Sequence, residues 1–97
     1  MRIVWTIPAL RDLTSIQAYI AQDSPSAAAQ QIEAVIASVS DLLARFPQAG
    51  RNGRRANTRE LVIQKTPYLV AYRLRGDTVA ILRVLHGRQR WPRLPAG

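Results

Sequence analysis

Arg59, Arg83 and His86, in the stretches TRELV and RVLHGRQRWP, are the residues of this chain whose types could do chemistry, and that chemistry would act on a phosphodiester. Guanidinium groups placed around a phosphate stabilise the extra negative charge of a phosphorane-like transition state. The chain's single histidine, or Glu60 next to Arg59, could move the proton that the reaction needs. Spacing works against that constellation. Arg83 and His86 are three residues apart, so in a regular strand they point to opposite faces and cannot converge on one phosphate. Only a bulge or an early strand end would reconcile them, and Gly87 permits such an end. Each residue also has a plainer role, His86 as a strand-end imidazole bonded to backbone and Arg59, next to Glu60, in ordinary cross-strand pairing.

A second chemistry needs no reaction. Residues 1–50 carry Arg2, Arg11 and Arg45 against Asp12, Asp23, Glu33 and Asp41, a balance of −1. Residues 51–97 carry ten arginines and Lys65 against Glu60 and Asp77, a balance of +9, so the whole net charge of +8 lies in one half. A charge wanted only for solubility has no reason to segregate in this way. The pattern is an electrostatic footprint for nucleic acid or an acidic protein segment, and the preference for arginine favours bidentate recognition of phosphate or carboxylate. Arg51, Arg54, Arg55, Arg73, Arg75, Arg88 and Arg90 are the candidate binding residues. In the free protein Arg51, Arg54 and Arg55 are expected to be solvated, in a flexible loop. Trp91 could stack on a base, although packing against Trp5 or a helix is the commoner use of such a residue.

Composition narrows the rest. With no cysteine and one histidine, neither a thiolate cluster nor a His-based metal site can be assembled, and no cofactor is expected. No apolar run approaches the length needed to span a bilayer, and Met1–Trp5 leads into a strand-like segment without a signal-peptide core, so a cytoplasmic protein is expected. Ninety-seven residues suffice for one small domain, with a core over about 3–92 and a short tail over 93–97.

These residues must be positioned by a small set of elements. Ile3–Trp5 reads as a strand. Thr6 and Pro8 start a helix whose stripe of Leu10, Leu13, Ile16 and Ile20, with Ala9 and Gln17 beside it, ends near Gln22. Ser24-Pro25 starts a second helix, with Ala28, Ile32, Val35, Val39, Leu42 and Phe46 on one face, widened by Ile36 and Leu43, until Pro47 and Gly50 stop it. Residues 47–58 read as a loop. The period then changes to two: Arg59–Ile63, Tyr68–Arg75 and Thr78–His86 form an antiparallel meander, with Gly76-Asp77 as a hairpin turn. The third of these strands is apolar on both faces, as a central strand is. The expected fold is α+β: an N-terminal strand, a helical hairpin and a three-stranded antiparallel meander, with the helices on one face of the sheet. The other face, with Arg73, Arg75, Arg83 and Arg59, would be a partly open basic concavity.

The order of these elements, the loop arginines and the run TRELVIQKTPYLVAYRLRGDTVAILRVLHGRQRWP, above all ILRVLHGRQ, resemble the RelE/ParE superfamily of toxins from bacterial type II toxin–antitoxin modules. The resemblance extends over roughly Ile3–Pro92. It implies a cytoplasmic toxin held in a hetero-oligomer with a cognate antitoxin, whose toxin-binding segment would be acidic. Two targets are implied. RelE-like members cleave mRNA on the ribosome, and in that case Arg59, Arg83 and His86 would be the catalytic group. ParE-like members inhibit DNA gyrase, and Leu85-His86-Gly87-Arg88 is similar to the LHxR pattern common among them. Trp91 stands in a C-terminal segment where RelE-like nucleases often place a tyrosine, so the resemblance leans toward ParE. A third possibility is a module that binds nucleic acid without reaction, but no recognition helix or aromatic stacking platform supports it.

Overall fold

The computed structural model describes residues 1–96; Gly97, the last residue of the expected tail, lies outside them. Strand β1, Arg2–Trp5, leads into helix α1, Ile7–Ala21, and helix α2, Pro25–Ala37, which continues through a π-helical turn over Ser38–Leu43. Strands β2, Arg51–Asn52, β3, Arg59–Val62, β4, Tyr68–Arg75, and β5, Thr78–His86, follow. Both helices begin as their sequences dictate. The Thr6 hydroxyl accepts from the Ala9 N–H at 3.3 Å and the Ser24 hydroxyl from the Ala27 N–H at 3.2 Å, with Pro8 and Pro25 placed where no intrahelical N–H is needed.

The π-helical turn follows from the spacing of the core residues. Val35, Val39 and Leu43 are all buried and are separated by four residues each time. In an α-helix every such step overshoots a full turn by about 40°, so three residues would drift off one face. A wider i→i+5 turn removes the drift and keeps all three against the sheet. The expected stripe is narrower than the periodicity suggested. Ile36, Leu42 and Phe46 are exposed, Phe46 to 61%, because they lie beside or beyond the line taken by Val35, Val39 and Leu43, and on α1 Leu10 is exposed beside buried Ala9.

The sheet has five strands in the order β1-β5-β4-β3-β2. The meander β3-β4-β5 is antiparallel as expected, and β1 lies parallel to β5, with Arg2 opposite Thr78 and Trp5 opposite Ile81. The expected loop at 47–58 contributes a strand: Arg51 pairs with Glu60 and Asn52 with Arg59. Gly76 takes φ +58° in the β4–β5 hairpin, the angle that two-residue hairpin loops ask of glycine. Along β5 the pairing passes from Tyr72–Ile81 to Ala71–Arg83, leaving Leu82 as the extra residue of a bulge.

The helices pack on the face that carries Leu61, Val70, Tyr72, Val79, Ile81 and Val84. Burial of side chains of this size contributes about 1.5–3 kcal/mol each, which makes this layer the main source of stability. The opposite face is not the open concavity expected. The segment after β5 folds back over it and buries Trp91 and part of Leu94 against Leu69, Ala71 and Leu85. Trp91 therefore contacts neither Trp5 nor a helix; it closes a second small core. No helix among the described residues is long and apolar enough to cross a membrane.

Candidate binding surface

Of the three residues that would have to meet for catalysis, Arg59 stands apart, and Arg83 and His86 leave β5 on opposite faces although the Arg83 guanidinium reaches Asp12, which lines the groove of His86. The bulge at Leu82 lies before Arg83, so the alternation from Arg83 to His86 is undisturbed and the two sit on opposite faces. Arg83 pairs in register with Ala71, while His86 pairs with Tyr68 and meets its ring edge-on at 5.8 Å. Nor is Arg83 free. Its Nε and Nη2 donate to the two Asp12 oxygens at 2.6 and 2.8 Å, and the Val84 N–H donates to the same carboxylate at 2.9 Å. This arrangement caps β5 where β1 has ended: Thr6 Oγ1 donates to the Ile81 carbonyl at 2.8 Å, and Asp12 covers the next open N–H. The carboxylate holds the Arg83 guanidinium above its ordinary pKa, with burial opposing.

His86 is exposed at the mouth of a groove of ≈ 390 Å³ shared with Asp12, Ile16, Tyr19, Tyr68, Val84 and Gln89. Its Nδ1 accepts from the Arg88 N–H at 3.1 Å, and its own N–H donates to Gln89 Oε1 at 3.2 Å. Gly87 has no positive φ here. Its N–H donates to the Pro67 carbonyl at 2.8 Å, so it anchors the turn and does not re-aim His86.

Arg59 belongs to a different groove, of ≈ 440 Å³, lined also by Asn52, Arg55, Asn57, Thr58 and Leu74. It lies on the helix-covered side, opposite Tyr72, and Nη1 donates to the carbonyls of Gly50 and Gln48 at 2.8 and 3.3 Å. Glu60 is not its partner. The Tyr72 hydroxyl is fixed in the same corner, donating to the Pro47 carbonyl at 2.7 Å and accepting from the Gly50 N–H at 2.8 Å. Burial pushes the Tyr72 phenol above its ordinary value of 10.0, although the Gly50 hydrogen bond and nearby Arg59 oppose the shift. Gly50 has to be glycine here, since a Cβ would stand 2.7 Å from the tyrosine ring. Burial raises Tyr68 as well, with Tyr19 adding to it.

The loop arginines, expected to be solvated, are engaged. Glu60 lies on the Trp91 side of the sheet with its side chain only 3% exposed, and Arg51 grips its Oε1 at 2.7 Å. Arg54 Nε stands 3.9 Å from the second carboxylate oxygen, too far for a hydrogen bond, and that oxygen has no other partner among the described residues. Arg54 lies over the Trp91 ring, 5.6 Å from its centre, and donates to the Gly87 and Gln89 carbonyls at 3.2 Å each. Arg55 donates to the Trp91 carbonyl at 2.9 Å, and Arg73 to the Asn57 carbonyl at 3.3 Å. Arg75, Arg88, Arg90 and Arg93 are exposed, with no side-chain partner among the described residues. They form the free part of the basic surface.

Asp12 and Glu60 are the two residues whose importance the sequence understated. Asp12 reads as a helix-surface residue, yet it falls on the inward line of α1, three after Ala9 and four before Ile16. An acid on that line needs a cation from the sheet, and that was the available signal. For Glu60 the signal was its position as the one carboxylate after four nearby arginines, Arg51, Arg54, Arg55 and Arg59.

A helical hairpin packed on an antiparallel sheet, closed at one edge by a parallel N-terminal strand and rimmed by arginines, defines a small RelE/ParE-type protein. Residues 3–91 match the family described as the ParE toxin of the type II toxin–antitoxin system parDE. The chain is 48% identical over 93 residues to Y4kP of Sinorhizobium fredii, covering 96% of this chain and 95% of that one. It is 41% identical over 85 residues to toxin RelE2 of Caulobacter vibrioides, covering 88% and 93%. Among solved structures it is similar to the chromosomal ParDE system of P. aeruginosa, with TM-score 0.77 and 26% identity over 89% of this chain and 95% of the other. It is also similar to the toxin–antitoxin complex RelBE2 of Mycobacterium tuberculosis, with TM-score 0.63 and 28% identity over 88% and 95%. The chain belongs to the ParE toxin family and is a toxin of the type II toxin–antitoxin class.

Proposed function

We propose that this toxin acts by binding DNA gyrase rather than by cleaving RNA, and that a cognate antitoxin with an acidic toxin-binding segment neutralises it. The observation that carries this reading is the separation of Arg59 from His86 and the engagement of Arg83 by a carboxylate. Arg59 lines one groove and His86 another, with no lining residue in common, and Arg83 is neutralised by Asp12. General acid–base catalysis needs the proton carrier within hydrogen-bond reach of the reacting oxygen, and transition-state stabilisation needs donors aimed at the same phosphate. Neither condition is met by this set. What is left is a set of basic side chains suited to binding: Arg88 and Arg90 beyond the end of β5, Arg75 at the opposite end of the β4–β5 ladder, and the engaged Arg51, Arg54, Arg55 and Arg73. Such a set suits a macromolecular target approached through charge. The resemblance of LHGR to the ParE pattern points the same way.

The names of the Caulobacter relative and of the mycobacterial complex keep ribosome-dependent mRNA cleavage as the second reading. One experiment separates the two. Purified toxin is added to a gyrase supercoiling assay and, in parallel, to ribosomes programmed with a defined message. Inhibited supercoiling or trapped cleavage complexes, with intact transcript, is the expected result; a cut transcript and unaffected gyrase would reverse the assignment.

A further inference from the structure

We infer that the groove between Arg59 and the loop 53–58 is a binding site for a phosphate group. The first reason is how its two arginines are held. Arg59 commits both N–H groups of Nη1 to the Gly50 and Gln48 carbonyls, at 2.8 and 3.3 Å, and Arg55 gives Nη2 to the Trp91 carbonyl at 2.9 Å. A guanidinium carries five N–H donors, so Arg59 keeps Nε and Nη2, and Arg55 keeps Nε and Nη1, for another acceptor. The acceptors already bound are neutral carbonyls. They fix the orientation of both side chains and leave the positive charges in place, unlike Asp12 at Arg83 or Glu60 at Arg51.

The second reason is what surrounds them. The groove, of ≈ 440 Å³, has no carboxylate among its lining residues. Glu60, next in sequence to Arg59, leaves β3 on the opposite side of the sheet. Two cations that share a cavity with no anion between them repel each other, and a bound anion turns that cost into attraction.

The frame is also set in advance. The Gly53 N–H donates to the Thr58 carbonyl at 2.8 Å, the Thr58 hydroxyl to the Arg55 carbonyl at 2.6 Å, and Arg73 Nε to the Asn57 carbonyl at 3.3 Å. Asn57 takes φ +59°, a left-handed conformation that asparagine tolerates better than most residues. A site held in shape before its ligand arrives loses little freedom on binding.

The number and arrangement of donors select the anion. A carboxylate is planar and is satisfied by one guanidinium fork, whereas phosphate presents its oxygens in a tetrahedron. That shape suits two forks set on separate segments, with the exposed carboxamides of Asn52 and Asn57 beside them. A nucleic-acid backbone and a free phosphomonoester share this chemistry. The inference goes beyond the proposed function and holds whichever target the toxin inhibits.

The test follows the Nε–H resonances of Arg55 and Arg59 by NMR in the full chain labelled with nitrogen-15, assigned with Arg55→Lys and Arg59→Lys, at constant ionic strength. Inorganic phosphate is expected to shift both saturably, and acetate to shift neither. Asn52→Asp/Asn57→Asp puts carboxylates into the groove at exposed positions and should weaken phosphate binding about tenfold. Arg11→Ala/Arg45→Ala lowers the net charge by the same amount at exposed positions of the neutral half, and should leave binding within about twofold. Thymidine oligonucleotides with and without a 5′-phosphate separate the sources: tighter binding of the phosphorylated one identifies a monoester, and equal binding identifies the diester backbone. No saturable shift with any phosphate-bearing probe, an equal response to acetate, or equal weakening by the two double variants would overturn the inference. The titrations of the unaltered chain decide it alone should the aspartate variant fail to fold. Gyrase and antitoxin are absent from this assay, so its failure is distinct from failure of the proposed function.

Discussion

The two halves of this chain manage their surfaces in opposite ways. Residues 1–46 are nearly neutral and leave apolar side chains uncovered: Met1, Val4, Ile7, Leu10, Tyr19, Ile36, Leu42 and Phe46 are all exposed, whereas Val62 is the one large exposed apolar residue in the remainder. Residues 47–96 carry the excess charge, and much of it is spent inside the molecule. Arg51, Arg54, Arg55, Arg59, Arg73 and Arg83 each hold a carbonyl or carboxylate, while Arg75, Arg88, Arg90 and Arg93 project freely. A net charge read from composition therefore overstates the charge available to a partner. The guanidinium fork serves both ends, since donors in a fixed plane can bridge main-chain carbonyls as readily as they bind an anion.

Among the described residues one ion pair joins the halves, and breaking it should have the largest effect. Asp12→Ala leaves the Arg83 guanidinium and the Val84 N–H without their acceptor in a partly buried site, which should cost about 2–3 kcal/mol by chemical denaturation. Arg83→Ala should cost about 2 kcal/mol, and the double variant less than the sum of the two. Arg83→Lys keeps the charge but not the fork, so it should restore only part of the loss. Toxicity of Arg83→Ala should fall in step with stability. A stable Arg83→Ala protein without toxicity would instead give Arg83 a direct role at the target.

Tyr72 ties the end of the helical half to the sheet and comes next. Tyr72→Phe strands the Gly50 N–H and should cost about 1–2 kcal/mol. It should also change the alkaline limb of stability. Because burial raises the Tyr72 pKa above 10.0, the folded state holds this proton more tightly than the unfolded state does. The resulting stabilisation is full below about pH 10 and is lost as pH rises through the folded value. Denaturation followed from pH 8 upward should thus show a shallower alkaline decline for Tyr72→Phe, with Tyr68 accounting for part of what persists.

Much of the fold could be read locally because its signals are local. Thr6 with Pro8 and Ser24 with Pro25 mark the helix starts, and Gly76-Asp77 between two apolar runs marks the hairpin. The π-helical turn at Ser38–Leu43 was hidden, because a stripe that steps by four can be read as an ordinary helix with a broad face. Strand β2 was hidden by its length, two residues whose pairing with Arg59 and Glu60 is defined by the sheet. The site was less legible than the fold for one reason. What decides whether an arginine is free is a partner far away in sequence: Asp12 lies 71 residues from Arg83, and the Trp91 carbonyl lies 36 from Arg55. WPRLP, with two prolines and no period, gave no sign that it docks on the sheet.

Arg51 tests the boundary between spent and free charge. It grips Glu60 but is itself 64% exposed, so solvent screens the pair and Arg51→Ala should cost under about 1 kcal/mol. Raising salt should reduce that small difference further. A loss several times larger would mean that Glu60 depends on Arg51 alone, and that Arg54 at 3.9 Å contributes nothing to holding it.

The smallest stability effect is expected at the freest residues, where the functional effect should be clearest. Arg75 lies at the end of β4 and Arg88 just beyond β5, both exposed and without side-chain partners among the described residues. Arg75→Ala/Arg88→Ala should leave unfolding free energy within about 0.5 kcal/mol, because nothing in the folded state is lost with them. Association with the proposed target, gyrase, should nevertheless slow, and its dependence on ionic strength should flatten, since charges at a rim act on encounter more than on the final contact. Measuring the association rate at several salt concentrations distinguishes this from a defect in folding, which would lower the active fraction equally at every salt. An unchanged salt slope in the double variant would move the target-facing surface away from this rim and toward the apolar, neutral half.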